Sequence, residues 1–101
     1  MTSVIDKENS SVQNITIVRN DTVTFNAPQD VPWTALIILY PYNTGGSYPV
    51  TFFSANKSGS DIYIANNLVG TKPTAISQTG NTVSITLESS SSWRGQVIVY
   101  Y

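Results

Sequence analysis

The chain has 101 residues, carries a formal net charge of −1 and is 11% charged and 41% hydrophobic. It has no histidine and no cysteine, which excludes a histidine general base, a thiol nucleophile, a disulfide framework and a cysteine or histidine zinc site. The near-neutral charge predicts no binding to nucleic acid, and no segment is apolar enough for insertion into a membrane. We expect one folded domain, residues 1–101.

Apolar side chains recur at every second position, which is the period of β-strands. Alternation on both sides of Asn20 and Asp21 predicts a hairpin that turns at these two residues. Pro28 and Pro32 predict a loop, because proline denies a strand its ladder donors. The continuous apolar run at residues 33–40 predicts a strand that is central in its sheet or buried on both faces.

The second half of the chain continues this pattern. We predict a Gly-Gly loop near residues 43–47, strands near residues 50–54, 62–64, 82–87 and 96–101, an irregular stretch at residues 68–76 and a loop at the serine run 89–92. The last strand is expected to be an apolar edge suited to edge-to-edge assembly. Seven or eight short strands predict an all-β fold, a small antiparallel β-sandwich, with a small β-barrel as the alternative.

The acidic and serine residues do not indicate an enzyme. The six acidic residues are dispersed, whereas a glycosidase needs two carboxylates held close together. The serines have no histidine partner and no lysine at Ser-x-x-Lys spacing, and there is no phosphate-binding glycine loop. Calcium is the one possible cofactor, because it takes oxygen ligands from Asp, Asn and backbone carbonyls, which the predicted loops contain.

Aromatic residues in polar surroundings suggest sugar binding. A neutral sugar needs an apolar face to stack on and hydrogen-bonding groups for its hydroxyls. Trp93 lies between four serines and the pair Arg94-Gly95, so it is a candidate stacking platform, with core packing as the alternative. For Tyr63, which lies within a predicted strand, core packing or a cross-strand pair is the expectation.

A resemblance to a known family begins at residue 35. Residues 35–41 form an apolar strand that ends in proline, Gly45-Gly46-Ser47-Tyr48 form a Gly-Gly loop, and Phe52-Phe53 lie in a second apolar strand. This order resembles the legume-type lectins in a minimal form. The resemblance implies a β-sandwich whose sugar site is built from loops, with the backbone N–H of Gly46 contacting the ligand. The metal-binding aspartates of that family have no counterpart here.

These observations favour a non-enzymatic, hemagglutinin-like lectin that binds glycans or glycoproteins through a shallow loop site. The predicted ligand-binding residues are Asp30, Trp33, Asn43, Gly45, Gly46, Tyr48 and Trp93. Since single sugar sites bind weakly, we expect a possible homo-oligomer that gains avidity, located outside the cell or at its surface. The alternative is a structural or adhesive β-module, of the coat, appendage or capsid-associated kind, without a small-molecule site.

Overall fold

The computed structural model describes residues 9–41 and 50–101, which form β-strands and no helix. The strands in chain order are β1 (Ser10–Asn26), β2 (Trp33–Pro41), β3 (Thr51–Ser58), β4 (Asp61–Val69), β5 (Pro73–Thr79) and β6 (Thr82–Tyr100). All pairings among them are antiparallel. β1 and β6 are the longest, with 17 and 19 residues.

β1 and β6 each bend in the middle and serve both layers of the fold. The first half of β1, residues 10–17, pairs with residues 93–100 of β6, and residues 22–26 pair with residues 82–86. The register shifts on either side of Asn20, where the strands bend. The six strands therefore provide eight segments in two sheets, which confirms the predicted all-β sandwich.

The two sheets differ in width. The five-stranded sheet has the order β4, β3, β2, second half of β6, first half of β1. The three-stranded sheet consists of β5, the first half of β6 and the second half of β1. β2 lies between β3 and β6, as the continuous apolar run predicted.

The core lies between the sheets and is built from odd-numbered residues of β1, β2, β3 and β6. Trp33, Ile37, Phe53, Ile85 and Val97 are among the fully buried side chains. Odd-numbered residues face the core both before and after each bend. Each bend takes up an even number of residues, so the alternation of side chains between the two faces of the strand is not reversed. One hydrophobic cluster thus runs through both layers.

The hairpin predicted at Asn20 and Asp21 is wrong. Asn20 Oδ1 accepts hydrogen bonds from the backbone N–H groups of Asp21 at 2.8 Å and Thr22 at 3.2 Å. This Asx-type contact bends β1 but does not reverse it. The two halves of β1 therefore pair with β6 and not with each other.

Three further boundaries differ from the sequence-based expectations. Residues 96–101 are not an edge, because the end of β6 lies between β1 and β2. The serine run 89–92 lies within β6, at its bend. Most of the stretch predicted to be irregular belongs to β4 and β5. β4 is an edge strand, and two register shifts interrupt its pairing with β3.

Candidate functional site: a neutral cleft at one end of the sandwich

A cleft of about 440 Å³ opens between the sheets. It lies at the end of the sandwich where β1 enters the five-stranded sheet and where the second half of β1 leaves the three-stranded sheet. Its volume lies within the range of small-molecule sites. None of the described residues that line it has a charged side chain; they are Ser11, Gln13, Asn26, Ala27, Pro28, Asn81 and Tyr101.

One wall comes from the five-stranded sheet. Ser11 and Gln13 occupy inward positions of β1, where polar residues replace the apolar side chains found from Ile15 onward. The core therefore ends at this level. Tyr101 continues the inward series of β6, and paired backbone hydrogen bonds of 2.9 and 3.0 Å with Asn9 hold it in the ladder. The tyrosine is half-buried.

The opposite wall comes from the three-stranded sheet. The chain leaves β1 through Ala27 and Pro28, and the Ala27 N–H donates to the carbonyl oxygen of Asn81 at 2.9 Å. Asn81 lies in the turn between β5 and β6, beside Gly80, whose φ of 59° is in the left-handed region. Asn81 Oδ1 accepts the Gln29 N–H at 3.1 Å. The turn and the exit from β1 are thus joined.

Gln13 connects the two walls. Its Oε1 accepts the Asn26 N–H at 2.7 Å, and its Nε2 donates to the Asn26 carbonyl oxygen at 2.7 Å and to Ser11 Oγ at 3.1 Å. Both amide hydrogens of Gln13 are therefore used within the protein. The contact fixes the position of the wall that Asn26 belongs to.

Other polar groups at the cleft are unused. Among the described residues, none bonds to Nδ2 of Asn81 or to the Tyr101 hydroxyl. These groups offer two donors and one acceptor beside the apolar surface of Pro28. Uncharged lining side chains with a free amide N–H and a hydroxyl suit a neutral ligand rich in hydroxyl groups.

A second pocket of about 180 Å³ lies on the outer side of the five-stranded sheet, where Asn14, Thr16, Tyr40 and Arg94 meet. It is smaller than the usual small-molecule site. We therefore take the cleft between the sheets as the candidate site.

The two predicted tryptophans are in the core, which is the alternative expectation for Trp93. Trp33 is fully buried, packs edge-to-face on Phe25 with ring centroids 5.8 Å apart, and donates from Nε1 to Gln78 Oε1 at 3.3 Å. Trp93 is 4% exposed. Neither ring presents a face on which a sugar could stack. Tyr63, for which we expected core packing or a cross-strand pair, is 46% exposed and lies opposite Asn56 of β3.

The other predicted site residues are only partly described. Asp30 is exposed in the segment before β2. Asn43, Gly45, Gly46 and Tyr48 lie outside the described residues, so the Gly-Gly loop site stays a prediction.

Asp30 and Trp93 are not brought together. Asp30 precedes β2, whereas Trp93 pairs with Pro41 at the far end of that strand. At about 3.4 Å per residue, the two ends of β2 are roughly 27 Å apart.

Sequence reasoning missed Gln13, Asn26 and Asn81. One signal for Gln13 was present: it continues the inward series of Ile15 and Ile17 with a polar side chain. A polar residue at an inward position marks either the end of a core or a satisfied buried contact. The roles of Asn26 and Asn81 depend on how the strands meet, and no local pattern indicates them.

The described residues hold no group of three or more acidic side chains that could bind a metal ion, so calcium stays a prediction. They also include no helix capable of spanning a membrane. Comparison of the chain with models of protein families, with curated proteins and with solved structures found no match.

Proposed function

We propose that the protein is a non-enzymatic lectin that binds cell-surface glycans through the cleft between the sheets. The observation that carries the proposal is the uncharged set of described lining side chains, in which Asn81 and Tyr101 present hydrogen-bonding groups that no described residue uses. Sugar hydroxyls both donate and accept, so they pair with amide and phenol groups.

The lining selects for a neutral sugar. Of the residues that the structure describes, no lysine or arginine lines the cleft, so a sialic acid or sulfated sugar would lose part of its hydration without gaining an opposite charge there. Pro28 and the half-buried ring of Tyr101 offer apolar surface for the C–H groups of a sugar ring. We therefore expect neutral hexoses or N-acetylhexosamines to bind in preference to charged sugars.

The cleft is open to solvent, so affinity at one site is expected to be weak, and useful binding to cells requires several sites. The first experiment is a glycan array probed with the protein in a multivalent format, with and without EDTA. Selective binding to a related set of neutral glycans supports the proposal, and loss of binding in EDTA would add calcium to it. Folded protein that binds no glycan contradicts it.

Asn81→Ala locates the site. Nδ2 of Asn81 has no partner within the described residues, so its removal is expected to weaken binding, while loss of the hydrogen bond from the Gln29 N–H to Oδ1 lowers the free energy of unfolding by about 1 kcal/mol and leaves the protein folded. Thr24→Ala is the matched control, since Thr24 is exposed in β1 but does not line the cleft. Equal binding by both variants would exclude the cleft as the site, and would return attention to the Gly-Gly loop.

The alternative function is a structural or adhesive β-module without a sugar site. It is favoured by an apolar area on the outer side of the five-stranded sheet, where Val12 and Ile38 are 61% and 38% exposed. Agglutination of red cells separates the two functions. Inhibition by free sugar supports the lectin, whereas adhesion or assembly that no sugar inhibits supports the module.

A further inference from the structure

The outer face of the five-stranded sheet carries a continuous apolar stripe. We define the stripe by six residues that cross all five strands: Val12, Ile98, Leu36, Ile38, Phe52 and Val69. Register pairs connect them in that order, because Val12 and Leu36 both lie beside Ile98, and Ile38 and Val69 both lie beside Phe52. Leu36 and Ile38 are two positions apart on β2 and join the two halves.

The stripe is accessible and uncharged. Val12, Ile38 and Val69 are 61%, 38% and 48% exposed, and the other three members are half-buried. The outward residues that pair from strand to strand form rows across the sheet, and the stripe lies within two neighbouring rows. These two rows contain ten residues, one from each of the five strands in each row. The four that do not belong to the stripe are uncharged polar residues. Covering these rows would therefore desolvate no charge.

One edge of each sheet is poorly suited to self-association. In the three-stranded sheet, Gln13 occupies both backbone groups that Asn26 presents at the β1 edge. In the five-stranded sheet, the β4 edge is interrupted by two register shifts, which disturb the hydrogen-bonding row that an added strand would need. Association through the face is less restricted than association through these edges.

We infer that the outer face of the five-stranded sheet docks a second copy of this chain, with the two stripes packed on each other around a two-fold axis. When this axis lies in the plane of the interface and perpendicular to the stripe, Val12 of one copy lies against Val69 of the other, and Leu36 lies against Ile38. Apolar side chains then meet apolar side chains along the whole stripe, as a self-complementary contact requires.

The direction of the stripe fits the packing of two sheets. It advances by two residues, about 7 Å, while it crosses four strand spacings, about 19 Å. It is therefore inclined by roughly 20° to the perpendicular of the strands. Superposing two such stripes by the two-fold axis makes the strands of the two copies cross at about 40°, which is close to the roughly 30° between aligned packed sheets.

The area is that of a weak, reversible dimer. With one further row of outward residues on each side of the stripe, five strands and seven residues of strand length give a face of about 24 by 24 Å, or about 570 Å² per copy. The row beside Ile38 contains Arg94, which is exposed and lies at the rim of this face, where solvent still reaches it. The total of about 1,100 Å² lies just above the roughly 1,000 Å² expected of a specific interface and below the usual 1,600 Å². We therefore expect a dissociation constant in the micromolar range.

The dimer leaves the clefts free. Ser11, Gln13 and Tyr101 belong to the inward side of the five-stranded sheet and Asn81 to the turn beside the other sheet, so the stripe and the cleft share no residue. If the cleft binds glycans, the dimer is bivalent. The inference itself does not depend on the glycan proposal, because it concerns self-association in the absence of any ligand.

Sedimentation velocity of the full chain from about 1 to 300 µM tests the inference. We expect the sedimentation coefficient to rise with concentration from that of a monomer to that of a dimer. Ile38→Lys and, separately, Val12→Lys place a charge on the stripe and should weaken the dimer at least tenfold. Val31→Lys is the matched control, since Val31 is 42% exposed but lies in the loop before β2.

Circular dichroism at low concentration verifies that each variant monomer is folded, and the exposure of Val12 makes its variant the safer of the two. A wild type that stays monomeric throughout the range overturns the inference. So does a dimer that Val31→Lys weakens as much as the two stripe variants do. A monomer that binds an insoluble polysaccharide through Ile38 and Phe52 would identify a different occupant of the stripe, and would equally overturn it.

Discussion

The side-chain amide of Gln13 hydrogen-bonds both backbone groups of Asn26, accepting the N–H at 2.7 Å and donating to the carbonyl oxygen at 2.7 Å. The two residues belong to opposite halves of the same bent strand, and hence to different sheets. A side-chain amide has the same donor and acceptor pair as a peptide group, so Gln13 acts at this edge as one residue of a neighbouring strand would.

Gln13→Ala should lower the free energy of unfolding by about 1 kcal/mol, because water can replace part of the contact at this accessible edge. At pH 7, Gln13→Glu should lower the free energy of unfolding by more than Gln13→Ala does, because a carboxylate has no donor for the Asn26 carbonyl oxygen. Protonation restores that donor. The difference in free energy of unfolding between Gln13→Glu and the wild type should therefore narrow as pH falls. Urea unfolding at pH 4 and pH 7 measures both effects, and a gap independent of pH would contradict the assigned contact.

The architecture could be predicted from period-two alternation, since the inward series of β1 and β6 are directly visible in the sequence. The bend of β1 could not. Asn20 makes the same local contacts in a bend and in a tight turn, and only the partner strand β6 decides between them.

Burial of Trp93 was obscured by its neighbours. The four serines before it suggest a solvent-exposed loop, yet Trp93 is in phase with Val97 and Val99, which are fully buried. Position within the alternating series determined burial here, and local polarity did not. The cleft was beyond sequence reasoning, because its walls meet only when the two halves of β1 fold over the core.

Tyr101→Phe should reduce glycan binding without changing stability. The hydroxyl has no partner among the described residues, so its removal leaves the fold unchanged, while a lost hydrogen bond to a sugar costs about 0.5–1.5 kcal/mol, or roughly two- to tenfold in affinity. Titration of a glycan selected from the array, with Tyr63→Phe as the control on the outer face, measures the difference. Equal affinities for the two variants would remove the Tyr101 hydroxyl from the site.

Trp93 and Trp33 should respond differently to the same substitution. Trp93 Nε1 is buried without a hydrogen-bond partner in the described structure, whereas Trp33 Nε1 donates to Gln78. Trp93→Phe removes a buried donor that has no acceptor, which offsets part of the packing lost with the smaller ring, so it should lower the free energy of unfolding by less than about 1 kcal/mol. Trp33→Phe leaves Gln78 Oε1 without that donor and should cost about 1–2 kcal/mol.

Thermal and urea unfolding of the two phenylalanine variants compares these costs directly. Trp93→Ala supplies the scale, because emptying a buried tryptophan site costs about 3–5 kcal/mol. A loss for Trp93→Phe as large as that for Trp33→Phe would show that the Trp93 N–H is satisfied in solution.

Gly95 allows β2 and β6 to approach closely at the centre of the five-stranded sheet. A Cβ atom at this position would lie 1.9 Å from the carbonyl oxygen of Ile38, which is backbone and has little freedom to move. Gly95→Ala should therefore destabilise the fold by about 1–3 kcal/mol or more, through overpacking.

Gly59→Ala is the control for Gly95→Ala. Gly59 has a φ of 63° and no neighbouring atom within 4 Å of its Cβ position, so its substitution costs only the strain of the left-handed backbone, about 1–2 kcal/mol. We expect Gly95→Ala to show the larger fall in melting temperature, together with faster hydrogen exchange of the amides paired between β2 and β6. A smaller fall for Gly95→Ala than for Gly59→Ala would mean that the two strands can separate at this point at little cost.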